Sequence, residues 1–151
     1  MEAQQDYKEL LELLNKHKAD YVIVGAYALA FHGYPRYTGD LDILVKTDKP
    51  NAEKILSAIR EFGFESLDIS LNDFSSPGKV VQLGVPPVRI DVITSITGVG
   101  WERIFPNRIK GEYGGVPVYF IGKNEFIANK KVIGRHKDLA DVEAIEKENN
   151  T

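Results

Sequence analysis

Cysteine is absent from the 151 residues. That removes disulfides, zinc–thiolate sites, iron–sulfur clusters and cysteine nucleophiles together. There is no basic excess either: 19 Lys and Arg stand against 22 Asp and Glu, for a net charge of −3. A domain that grips nucleic acid through its phosphates usually carries a strongly basic face, so sequence-independent DNA binding is disfavoured. Long apolar runs are missing as well. Stretches such as Tyr21–Val24 and Tyr27–Phe31 fall far short of the roughly 20 residues that cross a bilayer. The first residues, MEAQQDYKELLELLNKHKAD, are amphipathic and acidic, without the charged tip and apolar centre of a signal peptide. The three histidines, His17, His32 and His136, have no metal-ligand spacing to one another.

What is present is a 43% hydrophobic chain with no repeat, low-complexity tract or Pro/Ser-rich linker. The expectation is one cytoplasmic domain over residues 1–151, with no membrane partner. Tyr7 to Lys18 reads as a helix, and Tyr21–Val24 as a short apolar strand. Ala26–His32 reads as a second helix ended by Gly33, and Asp40–Lys46 as an alternating strand. Lys49-Pro50 opens a third helix with Ile55, Leu56, Ile59 and Phe62 as its stripe and Gly63 as its end. A strand is expected near Phe64–Ile69, then a hairpin of Lys79–Leu83 and Val88–Ile93 joined through Gly84 to Pro87. Gly100–Phe105 reads as a helical turn and Val116–Ile121 as a strand; Lys123–Ile133 and Lys137–Glu148 read as closing helices. This order predicts an α/β (α+β) fold, a small mixed sheet flanked by helices.

The chemistry concentrates in Thr38-Gly39-Asp40-Leu41-Asp42-Ile43-Leu44-Val45. Strand side chains alternate, so Asp40 and Asp42 share one face while Leu41, Ile43 and Val45 anchor the other. Neighbouring carboxylates repel each other unless a cation sits between them, and Mg²⁺ with its oxygen ligands is the usual one. In Val88-Arg89-Ile90-Asp91-Val92-Ile93 the third carboxylate, Asp91, lies opposite Val88, Ile90 and Val92. If the two strands are neighbours, Asp40, Asp42 and Asp91 converge into a set able to hold two metals. Upstream, the strand Tyr21–Val24 passes through Gly25 into a helix whose first amides suit phosphate. A D-x-D pair or a βα turn alone is common on polar strand faces; the combination carries the weight.

That combination resembles the nucleotidyltransferase superfamily that includes DNA polymerase β: strand, glycine turn, helix, then D-x-D on the next strand. Here it reads Val24-Gly25-Ala26-Tyr27-Ala28-Leu29-Ala30, then Arg36-Tyr37-Thr38-Gly39-Asp40-Leu41-Asp42. The Arg-x-Thr-x-Asp-x-Asp spelling is similar to the AbiEii-type branch, minimal enzymes many of which are toxins of toxin–antitoxin pairs. A second match is Asn129-Lys130-Lys131-Val132-Ile133-Gly134-Arg135-His136-Lys137-Asp138-Leu139-Ala140-Asp141. It is similar to that branch's N-K…G-R-x-K-D-x-x-D segment. The resemblance implies an NMP moved from an NTP such as ATP to an acceptor hydroxyl, with release of pyrophosphate. It implies two Mg²⁺ ions, with Mn²⁺ as a substitute, on Asp40, Asp42 and Asp91. Gly25, Ala26, Arg36, Thr38, Lys130 and Lys137 would contact the nucleotide, with Lys130, Gly134 and Lys137 near one helix face if the break at Gly134 is mild. The acceptor stays open among a tRNA, another protein and a small molecule, and an antitoxin protein is the implied partner.

One departure stands out. The second turn residue, usually Gly or Ser in that superfamily, is Ala26. Two other readings therefore use the same residues. One is a catalytically weak nucleotide-binding regulatory module of the same fold; the other is a hydrolase that releases nucleoside monophosphate or phosphate.

Overall fold

A computed structural model of the chain describes residues 3–34, 39–64, 68–85 and 87–149. Helix α1 (Gln5–Lys16) buries Tyr7, Leu10, Leu11 and Leu14, one stripe at helical spacing. Strand β1 (Tyr21–Val24) is buried at all four positions, which suits a strand covered on both faces. Helix α2 (Gly25–Phe31) follows it directly, and strand β2 spans Asp40–Val45. Helix α3 (Lys49–Ile59) starts at Asp48, whose carboxylate accepts the Asn51 amide hydrogen at 2.8 Å. The buried Asn51 side chain then accepts from the Asp20 N–H at 2.7 Å and donates to the Asp20 and Lys46 carbonyls at 3.0 and 2.9 Å. One amide thereby ties the start of β1 to the end of β2.

The strand expected near Phe64–Ile69 lies in part outside the described residues. Helix α3 continues into a π-helical turn, Arg60–Phe64, which breaks at Gly63 with φ +113°. Residues 65–67 lie outside the described residues, and the chain next forms a 3₁₀ turn, Leu71–Phe74. Ser70 and Asp73 cap each other there, the Ser70 N–H donating to Asp73 at 2.8 Å. That reciprocal cap commits the stretch to a helical turn.

The expected hairpin forms, as strands β3 (Val80–Leu83) and β4 (Arg89–Ile93). After a short helix α4 (Trp101–Ile104), strand β5 (Ile109–Tyr113) pairs with β6 (Val116–Phe120) across Gly114-Gly115. Helices α5 (Lys123–Ile133) and α6 (His136–Asn149) close the chain. The six strands form one mixed sheet in the order β3-β4-β2-β1-β6-β5. The β2–β4 and β1–β6 pairs are parallel and the others antiparallel. Helix α1 packs on α3 and β6, and α2 packs on β1 and β2. The fold class is the one the sequence predicts. Among the described residues no helix is long and apolar enough to cross a membrane.

Candidate active site

Register brings the carboxylates together. Val24 pairs with Asp42 across β1 and β2, and Asp42 pairs with Asp91 across β2 and β4. Leu41, Ile43 and Val45, with Ile90 and Val92, are buried in the core and hold both strands by the opposite face. Asp40, Asp42 and Asp91 consequently project from one face, each with an oxygen within 4.8 Å of the others'. A magnesium ion with bonds of about 2.1 Å spans oxygens at most about 4.2 Å apart, so the three carboxylates would have to close in slightly to share one.

The electrostatics fit such a site. Burial pushes the Asp42 carboxyl up to about 7, helped by the charge and hydrogen bond of Asp40 and by the charge of Asp91. Lys130 pulls it the other way. A carboxylate set held close against its own repulsion is one that a divalent cation relieves. Asp91 already has a partner. The Arg89 guanidinium forks onto it, Nε to Oδ1 at 3.0 Å and Nη2 to Oδ2 at 2.7 Å.

Gly25 has a role beyond its turn. It sits at φ +70°, and a side chain there would run into the Asp42 carboxylate. The glycine lets β1 and α2 pass close beside the acid, a packing demand added to the expected phosphate approach. Ala26 follows, half-buried, at the start of α2.

Lys130 lies in the last turn of α5 with only 12% of its side chain exposed, 3.4 Å from Asp138 and over the Phe126 ring at 5.4 Å. Asp138 is fully buried and is gripped by Arg135, Nε to Oδ2 at 2.6 Å and Nη2 to Oδ1 at 3.2 Å. That fork, with Lys130, holds the Asp138 carboxyl down at about 2. Lys137 does not share the Lys130 face. Gly134 takes a left-handed conformation, φ +70°, and ends α5, so the chain turns before α6 begins. Lys137 is exposed and makes no ion pair among the described residues. Arg36 and Thr38 lie outside the described residues.

Sequence reading passed over a tyrosine cluster beside the acids. The rings of Tyr7, Tyr27 and Tyr113 meet at centroid distances of 5.7 to 6.3 Å. The Tyr7 hydroxyl donates to the Arg89 carbonyl at 3.0 Å, which fixes the backbone beside Asp91. Burial pushes the Tyr7 phenol up to about 12, with Tyr113, Asp40 and Asp42 adding to the effect. Tyr27 moves the same way, chiefly by burial, with Asp40 a lesser contributor. The only advance signal was that Tyr7 and Tyr27 flank helix stripes. His32 is structural: its ring bonds the Ile121 carbonyl at 2.7 Å, and burial lowers its pKa.

No family model matches the chain, and no curated protein matches it. Solved structures do. A candidate nucleotidyltransferase from Thermotoga maritima superposes with a TM-score of 0.58 at 17% identity, over 95% of this chain and 90% of that one. An antigenic nucleotidyltransferase-like protein from Paracoccidioides brasiliensis gives 0.60 at 19% identity, over 95% of this chain and 76% of that one. At these identities the likeness concerns architecture, and it agrees with the mixed sheet and its flanking helices. The chain has the fold of the nucleotidyltransferase-like proteins on which it superposes.

Proposed function

We propose that the protein is a metal-dependent nucleotidyltransferase. The observation that carries the reading is the convergence of three carboxylates from two adjacent strands on one sheet face, with the second acid pushed up to about 7. In this reading Asp40, Asp42 and Asp91 would hold Mg²⁺, which supplies charge neutralisation and a more acidic acceptor hydroxyl.

The acceptor oxygen bonds to the α-phosphorus of the NTP. The bond from that phosphorus to the oxygen bridging to the β-phosphate breaks, and pyrophosphate leaves. Asp91 accepts the hydroxyl proton once Arg89 swings off it, and Arg89 is then free to pair with a phosphate. Gly25 and the following amides approach the phosphates, and Lys130, braced by Asp138, offsets their charge. Arg36, Thr38 and Lys137 complete the proposed contact set. Ala26 leaves the turn without a hydroxyl, so phosphate is held there by backbone alone.

The finer proposal is an AbiEii-type enzyme acting as the toxin of a pair, with a tRNA, a protein or a small molecule as acceptor. It rests on the two spelled motifs. A small DNA-binding antitoxin encoded beside this gene would support it, and an isolated gene would count against it.

The test of the general reading uses ATP labelled at the α- or the γ-phosphate, with Mg²⁺ and a cell extract. Nucleotidyl transfer puts only the α-label on a macromolecule or small product and sends the γ-label into pyrophosphate. Label appearing as free nucleoside monophosphate or as inorganic phosphate alone would mark a hydrolase.

A further inference from the structure

Strand β5 ends the sheet on one side, and among the described residues no strand pairs with its outer edge. The hairpin decides which backbone groups face outward there. Tyr113 pairs with Val116 across the two-residue loop Gly114-Gly115, whose φ angles of +54° and +87° are both positive, as a type I′ turn requires. The residues flanking such a loop exchange hydrogen bonds, and bonded and non-bonded pairs then alternate along the ladder. Ile109, Gly111 and Tyr113 therefore direct their N–H and C=O groups to β6. Pro117, which has no N–H, falls opposite Glu112 at a non-bonded pair, in keeping with that pattern. The N–H and C=O groups of Lys110 and Glu112 are left facing the open edge.

The two faces of this edge differ in chemistry. Alternation puts Lys110 and Glu112 together on one face, both exposed and without an ion pair among the described residues. The other face carries Ile109, Gly111 and Tyr113, and it is apolar. Ile109 is 42% exposed, and Phe31, 39% exposed, reaches the same edge from α2. The Phe31 ring lies where a side chain on Gly111 would go and stacks on Phe120 at 4.1 Å. A cavity of about 450 Å³, lined among others by Tyr27, Phe31, Tyr113 and Phe120, opens beside it. The hairpin is fastened in place: the Gln4 N–H donates to the Tyr113 hydroxyl at 2.8 Å, and Ala3 and Lys8 close over Gly114.

We propose that β5 pairs antiparallel with β5 of a second copy of this chain, about a two-fold axis at Gly111, and joins the two sheets into one. The proposal is independent of the proposed reaction. Only Lys110 and Glu112 have outward backbone groups, so each must lie opposite one of the same two residues in the second copy. Pairing Lys110 with Lys110, or Glu112 with Glu112, sets like charges face to face. Pairing Lys110 with Glu112 of the second copy, and Glu112 with its Lys110, sets opposite charges together twice, and that register is the favoured one. It places Gly111 against Gly111 on the axis, where the missing side chains leave room for the two Phe31 rings, and sets Ile109 opposite Tyr113. A lysine in an edge strand ordinarily keeps other strands away; here Glu112, two residues on, turns it into a register mark. The contact uses the same patch on both copies, so it closes as a dimer and does not propagate.

Sedimentation velocity over a concentration series tests this on wild type, Lys110→Glu, Glu112→Lys and the variant carrying both changes, each checked for folding by circular dichroism. Wild type should sediment as a dimer that dissociates on dilution. Lys110→Glu sets glutamate against glutamate in both charge pairs, and Glu112→Lys sets lysine against lysine. Each single variant should dimerise at least about tenfold more weakly than wild type. The variant carrying both changes restores opposite charges and should dimerise within about threefold of wild type. An equimolar mixture of the two single variants should form a heterodimer of similar strength, because each then meets the charge it lacks. A wild type that stays monomeric throughout the series would overturn the proposal and leave the edge to a strand of another protein. Dimers unchanged in both single variants would place the contact elsewhere and overturn it as well. So would single variants that dissociate while neither the combined variant nor the mixture recovers.

Discussion

Asp42 is pushed up from 3.8 to about 7 by burial and by two neighbouring acids, so at pH 8 the folded protein carries a charge it would rather not hold. Replacing it by asparagine keeps the shape and removes the charge. A shift of about 3 pKa units corresponds to about 4 kcal/mol. Because Asp40 and Asp91 share the repulsion, Asp42→Asn should recover about 2–4 kcal/mol of apo stability at pH 8. The sign follows from proton uptake. Between the unfolded value near 4 and the folded value near 7, the native state holds the proton and the unfolded state has lost it. Wild-type stability therefore falls as pH rises, by up to about 1.4 kcal/mol per unit between about pH 5 and 7, and levels off above that. Asp138, lowered to about 2, acts with the opposite sign and only at the acid end. Urea denaturation in EDTA at pH 5, 6, 7 and 8 reads the effect directly. Mg²⁺ should then reverse the order, stabilising wild type at pH 8 far more than the variant. An Asp42→Asn protein no more stable than wild type at pH 8, with the same pH slope, would refute the claim that the acids strain one another.

Gly25→Ala meets both a left-handed backbone and the Asp42 carboxylate, so it should cost about 1–3 kcal/mol in urea melts and weaken divalent-ion binding. Lys130→Gln should weaken NTP binding about tenfold by calorimetry, while leaving Mg²⁺ affinity without nucleotide equal or higher, because a like charge has been removed. Arg89→Gln frees Asp91 of its bidentate partner. It should tighten apo Mn²⁺ binding and slow turnover, read by calorimetry and by pyrophosphate release. Asp138→Asn leaves Arg135 and the shielded Lys130 without their counter-charge. Thermal melts should show a loss of about 1–3 kcal/mol, reduced from a fully buried pair because Arg135 is largely exposed.

The acidic site was legible because strand alternation is a rigid rule. Once Asp40, Asp42 and Asp91 were placed on β-strands, their shared face followed, and the pairing of β2 with β4 supplied the rest. Elements with a clear apolar pattern, such as Tyr21–Val24 and Lys123–Ile133, have the expected bounds. Strand β5, Ile-Lys-Gly-Glu-Tyr, went unseen because it is an edge strand with little buried on either face, held mainly by its ladder to β6. The expected strand near Phe64–Ile69 lies in part outside the described residues. The chain around it forms a π-helical turn, Arg60–Phe64, and a capped 3₁₀ turn, Leu71–Phe74. A shared helix face for Lys130 and Lys137 required a mild break at Gly134, and the left-handed glycine there ends α5 instead. The fit of Gly25 against Asp42 and the tyrosine cluster depend on tertiary approach, for which sequence spacing has no signal, whereas Arg89 and Asp91, two residues apart on one strand, share a face by alternation and pair there.

Metal affinity tests the central claim most directly. Mn²⁺ binding, followed by electron paramagnetic resonance at pH 8 without nucleotide, should be saturable in wild type and weakened at least about tenfold in Asp40→Asn and in Asp91→Asn. Variants that stay folded and bind Mn²⁺ as wild type does would contradict a metal site built from the acids of β2 and β4.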